Sequence, residues 1–163
     1  MKESFEALRL KHGPAVSRVV SNYVPHGPER EDLLQDIWLA VWKSLPRFRG
    51  ESSVRTYVLR IAHNRGATWW VRRRPLELLE DQHRVVDERV GPEQMASDRQ
   101  DVQRLLRAIR TLPVGQRQAL SLVLEGLSHR EVGQVLGLSE NAVAVRLHRA
   151  RQAVRLAMGE ENG

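Results

Sequence analysis

Arginines interleave with aromatic rings at two places in the first half of the chain. One is the run Arg47-Phe48-Arg49. The other is the stretch from Arg55 to Arg74, where Tyr57, Arg60, His63, Asn64 and Arg65 precede Trp69-Trp70 and Arg72-Arg73-Arg74. Rings that stack on bases, beside guanidiniums that hold phosphates, are what single-stranded nucleic acid binding uses. A second kind of chemistry sits near the other end. Between Gly126 and Arg151, Arg146, His148, Arg149 and Arg151 stand on the later half of a helix–turn–helix pattern. Basic side chains so placed reach base edges and phosphates of duplex DNA. Both features have plainer alternatives: Trp residues usually fill cores, a basic run at a helix end suits the helix dipole, and two short helices also make an ordinary hairpin.

Catalysis finds no support. There is no cysteine, which excludes disulfides, thiolate metal sites and Cys nucleophiles. Glu31, Asp32 and Asp36 form the nearest carboxylate cluster, and His12, His26 and His83 are scattered. No catalytic residue, metal or cofactor is expected.

The elements that must position these residues are all helical. Ser128 caps a helix with Glu131 placed to close a capping box, and Val132, Val135 and Leu136 supply its apolar side. Gly137 ends it and Leu138 plugs the turn. Ser139 caps the next helix, where Val143, Leu147, Ala150 and Val154 recur at helical spacing. Upstream, a helix is expected over 3–22, kinked or broken at Gly13-Pro14. A second runs from about Glu29 to Leu45 until Pro46 stops it. A third is capped by Ser52 or Ser53 and ends at Pro75, with Val54, Tyr57, Val58, Ile61 and Trp69 inward. The second helix is unusually apolar: Leu34, Ile37, Trp38, Val41 and Leu45 make one core side, leaving Leu39 and Trp42 beside Gln35 and Asp36. Such a stripe is either buried on two sides or a docking surface. Helices resume at Asp101, with Val102, Leu105, Leu106 and Ile109 as a core side. The reading is all-α: two small helical domains over 1–75 and 101–158, joined by an acidic linker over 76–100.

Charge divides the same way. Residues 1–75 carry 14 basic and 7 acidic side chains, residues 76–100 carry 3 and 7, and residues 101–163 carry 9 and 6. Two basic blocks flank an acidic one, and basic blocks suit phosphate neutralisation. No apolar run approaches the roughly 20 residues that span a bilayer, and the first ten residues lack a signal-peptide core. A cytoplasmic protein without membrane insertion is expected.

Two stretches carry a family resemblance. EDLLQDIWLAVWKSLPRFRGESSVRTYVLRIAHNRGATWWVRRR resembles region 2 of bacterial RNA polymerase sigma factors of the extracytoplasmic-function (ECF) type. LRAIRTLPVGQRQALSLVLEGLSHREVGQVLGLSENAVAVRLHRARQAVR resembles their region 4. The resemblance implies a transcription initiation factor whose partners are core RNA polymerase, promoter DNA and an anti-sigma factor. It implies that Asp32, Leu33, Gln35, Asp36, Leu39 and Trp42 dock on the clamp helices of the polymerase's largest subunit, and that residues 112–126 sit on the flap of the second-largest. Arg47, Phe48, Arg49, Tyr57, His63, Asn64, Arg65, Trp70 and Arg73 would hold the melted −10 element. Ser128, Arg130, Asn141, Val145, Arg146, His148 and Arg149 would read the −35 element. Ala144 and Val145 stand where family members often carry polar or basic side chains, so direct readout leans on Arg146, His148 and Arg149. Val145 is left to touch a thymine methyl.

Overall fold

The structure is a computed structural model that describes residues 3–73 and 97–159. Seven helices are present among them: α1 (Phe5–Val20), α2 (Pro28–Ser44), α3 (Val54–Arg73), α4 (Ser97–Arg110), α5 (Val114–Leu124), α6 (His129–Leu136) and α7 (Glu140–Ala157). A single 3₁₀ turn, Leu45–Arg47, follows α2. No strand occurs among the described residues. The acidic linker, apart from the start of α4, lies outside them, as do Arg74, Pro75 and His83.

Helices α1–α3 form one bundle. Ser4 caps α1 by accepting from the Ala7 amide, and the helix runs unbroken through Pro14. The break expected there does not form. Leu8 and His12 before the proline and Val16, Val19 and Val20 after it bury on one core, which offsets the missing backbone donor. Arg30 joins α2 to the end of α1. Its guanidinium donates to the Ser17 carbonyl at 3.0 Å, the Val24 carbonyl at 3.1 Å and the Ser21 hydroxyl at 2.9 Å. The Ser17 carbonyl already accepts the Ser21 amide at 3.1 Å, so Arg30 adds a further bond at the end of α1.

On α2 the inward residues are Leu33, Ile37, Trp38 and Val41, whereas Leu34 is only half-buried. On α3 they are Thr56, Val58, Leu59, Ala62 and Gly66, with Val54, Ile61 and Trp69 partly buried against the same core and Tyr57 half-buried. Gly66 admits a close neighbour. The Tyr23 ring lies so close that a Cβ at Gly66 would fall 2.3 Å from Tyr23 Cδ2. Only glycine lets that ring in.

Helices α4–α7 form the second bundle, and α6 also packs on α3. The local signals of α6 and α7 appear as read. Ser128 and Glu131 form both bonds of the capping box, Gly137 is left-handed at φ 70°, and the Ser139 hydroxyl accepts from the Ala142 amide at 3.1 Å. The expected core side of α4 does not bury: Val102, Leu105 and Leu106 are exposed. Only the Ala108–Leu112 end of that segment reaches the core, with Ala108 and Leu112 buried and Ile109 half-buried. Periodicity fixes which residues share a face, not whether another element covers it.

Gly133, in the middle of α6, holds the turn together. The Leu138 amide bonds its carbonyl at 3.0 Å, and a Cβ there would stand 2.5 Å from the Leu138 carbonyl oxygen. That neighbour is backbone and has little room to move. Gly133→Ala is therefore expected to destabilise the chain by about 1–3 kcal/mol. Urea unfolding followed by circular dichroism measures this, and an unchanged midpoint would contradict the close approach.

Candidate nucleic-acid interface

The arginine-rich loop and the start of α3 enclose a cleft of about 350 Å³, at the small end of the roughly 300–1,000 Å³ typical of ligand sites. Arg47, Phe48, Arg49, Tyr57 and Arg60 line it, with Ser52 and Thr56. The Phe48 and Tyr57 rings lie 4.8 Å apart at 50°, and the Tyr57 hydroxyl donates to the Ser44 carbonyl at 3.3 Å. Ser53 caps the helix beneath by accepting from the Thr56 amide. A ring pair fixed by helix packing, with guanidiniums around it, can stack a base and hold its phosphate. Arg60 was not among the expected site residues. Gln134 of α6 lines the same cleft, and nothing local in the sequence announces that, because it arises where the two bundles meet.

The rest of the first-half set divides. Asn64, Arg65 and Arg73 are exposed further along α3. Arg65 pairs with Asp36 at 3.4 Å and Arg73 with Glu29 at 3.5 Å, both across a second cleft between α2 and α3. Arg73 also lies over the Trp69 ring, 5.9 Å from its centre. His63 and Trp70 instead turn inward. Trp70 packs against the core, so it departs from its expected place on an open surface. His63 Nδ1 meets the Tyr23 hydroxyl, which also accepts from Gln118 at 2.8 Å. The hydroxyl has two acceptor lone pairs and one proton, so the direction of its bond to Nδ1 follows the His63 tautomer. Burial, then the nearby Arg146 charge, pushes His63 down to about 4.

The expected docking face of α2 is largely open. Asp32, Gln35 and Asp36 are exposed, and so are Leu39 (49%) and Trp42 (58%). Leu33 is the exception: it is 4% exposed and packs in the core. Its side chain serves the core and the floor of the cleft between α2 and α3 rather than the open face.

On α7, Asn141, Val145, His148 and Arg149 are exposed, as is Arg130 on α6. Ser128 is exposed too, but its hydroxyl is spent on the capping box. Arg146 is half-buried. Its guanidinium lies on Gly115 of α5, 3.0 Å from where a Cβ would be. Among the described residues no group of His, Asp and Glu could hold a metal ion, and no helix is long and apolar enough to cross a membrane.

The apolar core continues across the seam between the bundles, and polar bonds surround it. Asn22 donates to the Ser121 hydroxyl at 2.9 Å, and Arg117 donates to the Asn22 carbonyl at 3.0 Å. Glu125 receives two arginines: Arg18 forks its carboxylate, while Arg55 donates to its backbone carbonyl and reaches a carboxylate oxygen at 3.4 Å. The Arg18 hydrogen bonds hold the Glu125 carboxyl below its ordinary range.

Comparison with known proteins follows this division. Residues 8–75 match the family described as Sigma-70 region 2, and residues 102–154 match Sigma-70, region 4. The ECF RNA polymerase sigma-E factor of Escherichia coli (strain K12) is 29% identical over 164 residues, covering 94% of this chain and 85% of that protein. The ECF RNA polymerase sigma factor SigX of Bacillus subtilis (strain 168) is 27% identical over 165 residues, covering 97% and 85%. Among solved structures, the sigma factor RpoE from Bartonella quintana, in complex with the anti-sigma factor NepR, shares the fold. It matches with a TM-score of 0.77 at 21% identity, over 97% of this chain and 98% of that one.

Neutral burial of His63 gives a pH dependence. The unfolded chain takes up a proton below about 6.5, the folded chain only below about 4. Between those values the unfolded state holds more protons, so stability rises with pH and is lost on acidification, by on the order of 3 kcal/mol over the window. His12, also lowered by burial, acts in the same direction. Thermal unfolding followed from pH 7 to pH 4 should show a falling midpoint, with a shallower fall in His63→Gln. Parallel slopes for the two proteins would contradict the assignment.

Proposed function

We propose, for a chain that belongs to the sigma-70 family and within it to the ECF type, a division of labour between its two bundles. The chain is a transcription initiation factor that directs core RNA polymerase to promoters. Its parts are residues 1–75, acting as region 2, an acidic linker over 76–100, and residues 101–158, acting as region 4. The open face of α2, with Asp32, Gln35, Asp36, Leu39 and Trp42, docks on the largest polymerase subunit. The cleft of Arg47, Phe48, Arg49, Tyr57 and Arg60 takes an unpaired base of the −10 element, and Asn64, Arg65 and Arg73 hold backbone phosphates. Helix α7 enters the major groove of the −35 element through Asn141, Val145, His148 and Arg149.

The observation that carries this reading is the Phe48–Tyr57 pair walled by arginines, in the same chain as a capped helix–turn–helix with an exposed basic second helix. One surface suits single strands and the other a duplex. Trapping unpaired bases offsets the cost of unstacking them, so no hydrolysis by this chain is needed. Binding both elements through one polymerase raises the effective concentration of each bundle at the other's site. The setting is the cytoplasm. An anti-sigma factor is the expected regulator; the structural relative from Bartonella quintana was solved with one.

Run-off transcription with core polymerase on a randomised promoter library tests the reading, and failure to associate with core polymerase in a pull-down would sink it. Two variants locate the surfaces. Trp42→Ala should weaken binding to core polymerase by about 2 kcal/mol, roughly 30-fold, because a large exposed ring at the centre of an interface carries much of its energy. Arg149→Ala should cost about 1–3 kcal/mol at one −35 base more than at the others. A uniform loss across promoter sequences would reassign Arg149 to a phosphate.

A further inference from the structure

One wall of the arginine-rich cleft has no part in the function proposed above. Gln134 of α6 lines it beside Arg47, Arg49 and Arg60. Helix α6 packs on α3, and the apolar core runs on across that contact. Gln134 is therefore held at the cleft by helix packing and not by a loop. It is half-buried, and its amide makes no hydrogen bond among the described residues.

The guanidiniums of the cleft are in the same condition. Arg47, Arg49 and Arg60 are exposed and form no ion pair among the described residues. Arg18, Arg55, Arg65 and Arg73 differ, since each has a carboxylate within reach. Glu51 is the one carboxylate in the lining, so three cations face one anion there. Cations gathered in this way repel one another, and a polyanion among them is favoured. The same cleft offers the Phe48 and Tyr57 rings, 4.8 Å apart. Its volume of about 350 Å³ suits a small molecule. Rings, guanidiniums and one unspent amide are together the groups that a nucleotide needs: a stacking face, phosphate donors and a partner for the base edge.

We propose that the cleft binds a free adenine nucleotide carrying more than one phosphate while the chain is apart from polymerase. Phe48 and Tyr57 stack the base, Arg47, Arg49 and Arg60 hold the phosphates, and Gln134 reads the base edge. An amide presents one donor and one acceptor, which complement N6 and N7 of adenine; guanine presents two acceptors on that edge. The binding stands on the cleft alone. That the nucleotide competes with an unpaired −10 base for the same rings rests on the function proposed above.

Isothermal titration calorimetry of the full chain at low salt tests the site. Adenosine diphosphate (ADP) should bind one-to-one. Guanosine diphosphate (GDP) should bind about tenfold more weakly, the discrimination expected of a bidentate amide. Adenosine and inorganic pyrophosphate each lack half of the ligand, and each should bind weaker than ADP by at least about tenfold. Arg60→Ala should weaken ADP about tenfold, the loss expected for a charge-assisted bond. Gln134→Ala should bring ADP and GDP to equal affinity. Far-UV circular dichroism confirms that each variant keeps its helices. No saturation by ADP below about 1 mM overturns the site. Pyrophosphate binding as tightly as ADP also overturns it, by reducing the cleft to an anion trap. A preference for GDP, or an ADP preference that survives Gln134→Ala, overturns the reading of the base by Gln134. A chain that binds ADP but yields no transcript with core polymerase sinks the initiation-factor reading and leaves the nucleotide site standing. Transcription by a chain that does not take up ADP does the reverse.

Discussion

Tyr23 is the point on which the arrangement depends. It follows α1 in the chain, is buried, and lays its ring on Gly66 of α3. Its hydroxyl meets His63 of α3 and accepts from Gln118 of α5. One side chain therefore sets the approach of α1 to α3 and supplies a polar pin between the bundles. A buried hydroxyl left unsatisfied would cost about 1–3 kcal/mol, so its two partners specify the seam by penalising every packing that withdraws one of them. Burial raises the Tyr23 proton affinity and lowers that of His63, which keeps both neutral and the bond intact.

Two kinds of contact hold the chain together. Within each bundle apolar side chains do the holding: Leu8, Val16, Ile37, Val41, Val58 and Leu59 in the first, Leu122, Val132, Val135, Val143 and Leu147 in the second, all essentially without solvent contact. Such cores are densely packed and tolerate little change. Between the bundles the apolar core is continuous, and hydrogen bonds and ion pairs that water and salt can replace are added around it. The exposed pairs Asp36–Arg65 and Glu29–Arg73 follow the same rule on a smaller scale. Each is worth about 0–1 kcal/mol, so it orients an arginine without withholding it from a phosphate. Each also joins an acid of α2 to a base of α3, which places the proposed polymerase and DNA contacts within one side chain's reach.

What was legible in the sequence was local. The Ser128–Glu131 capping box, the left-handed Gly137 and the Ser139 cap depend on residues within four positions of one another, and all appear as read. The cleft of Arg47, Phe48, Arg49 and Tyr57 was legible for the same reason, since a short loop and the helix it feeds cannot separate far. What failed was set by distant neighbours. Leu33 and Leu34 are adjacent on α2, and a small rotation of the helix decides which one is buried. Val102, Leu105 and Leu106 share a face that the described residues leave open. Gly66 and Gly133 carry no local signal, because their role lies in the ring or carbonyl that approaches them from elsewhere.

His63 and Arg146 show the consequence for reading function from residue type. Both have the chemistry of nucleic acid contacts, and both belong to helices that present such contacts. Yet one is bonded to the buried Tyr23 hydroxyl, and the other rests on Gly115. A side chain's position on a helix fixes its direction from that helix alone, and the second bundle then decides whether the direction leads to solvent.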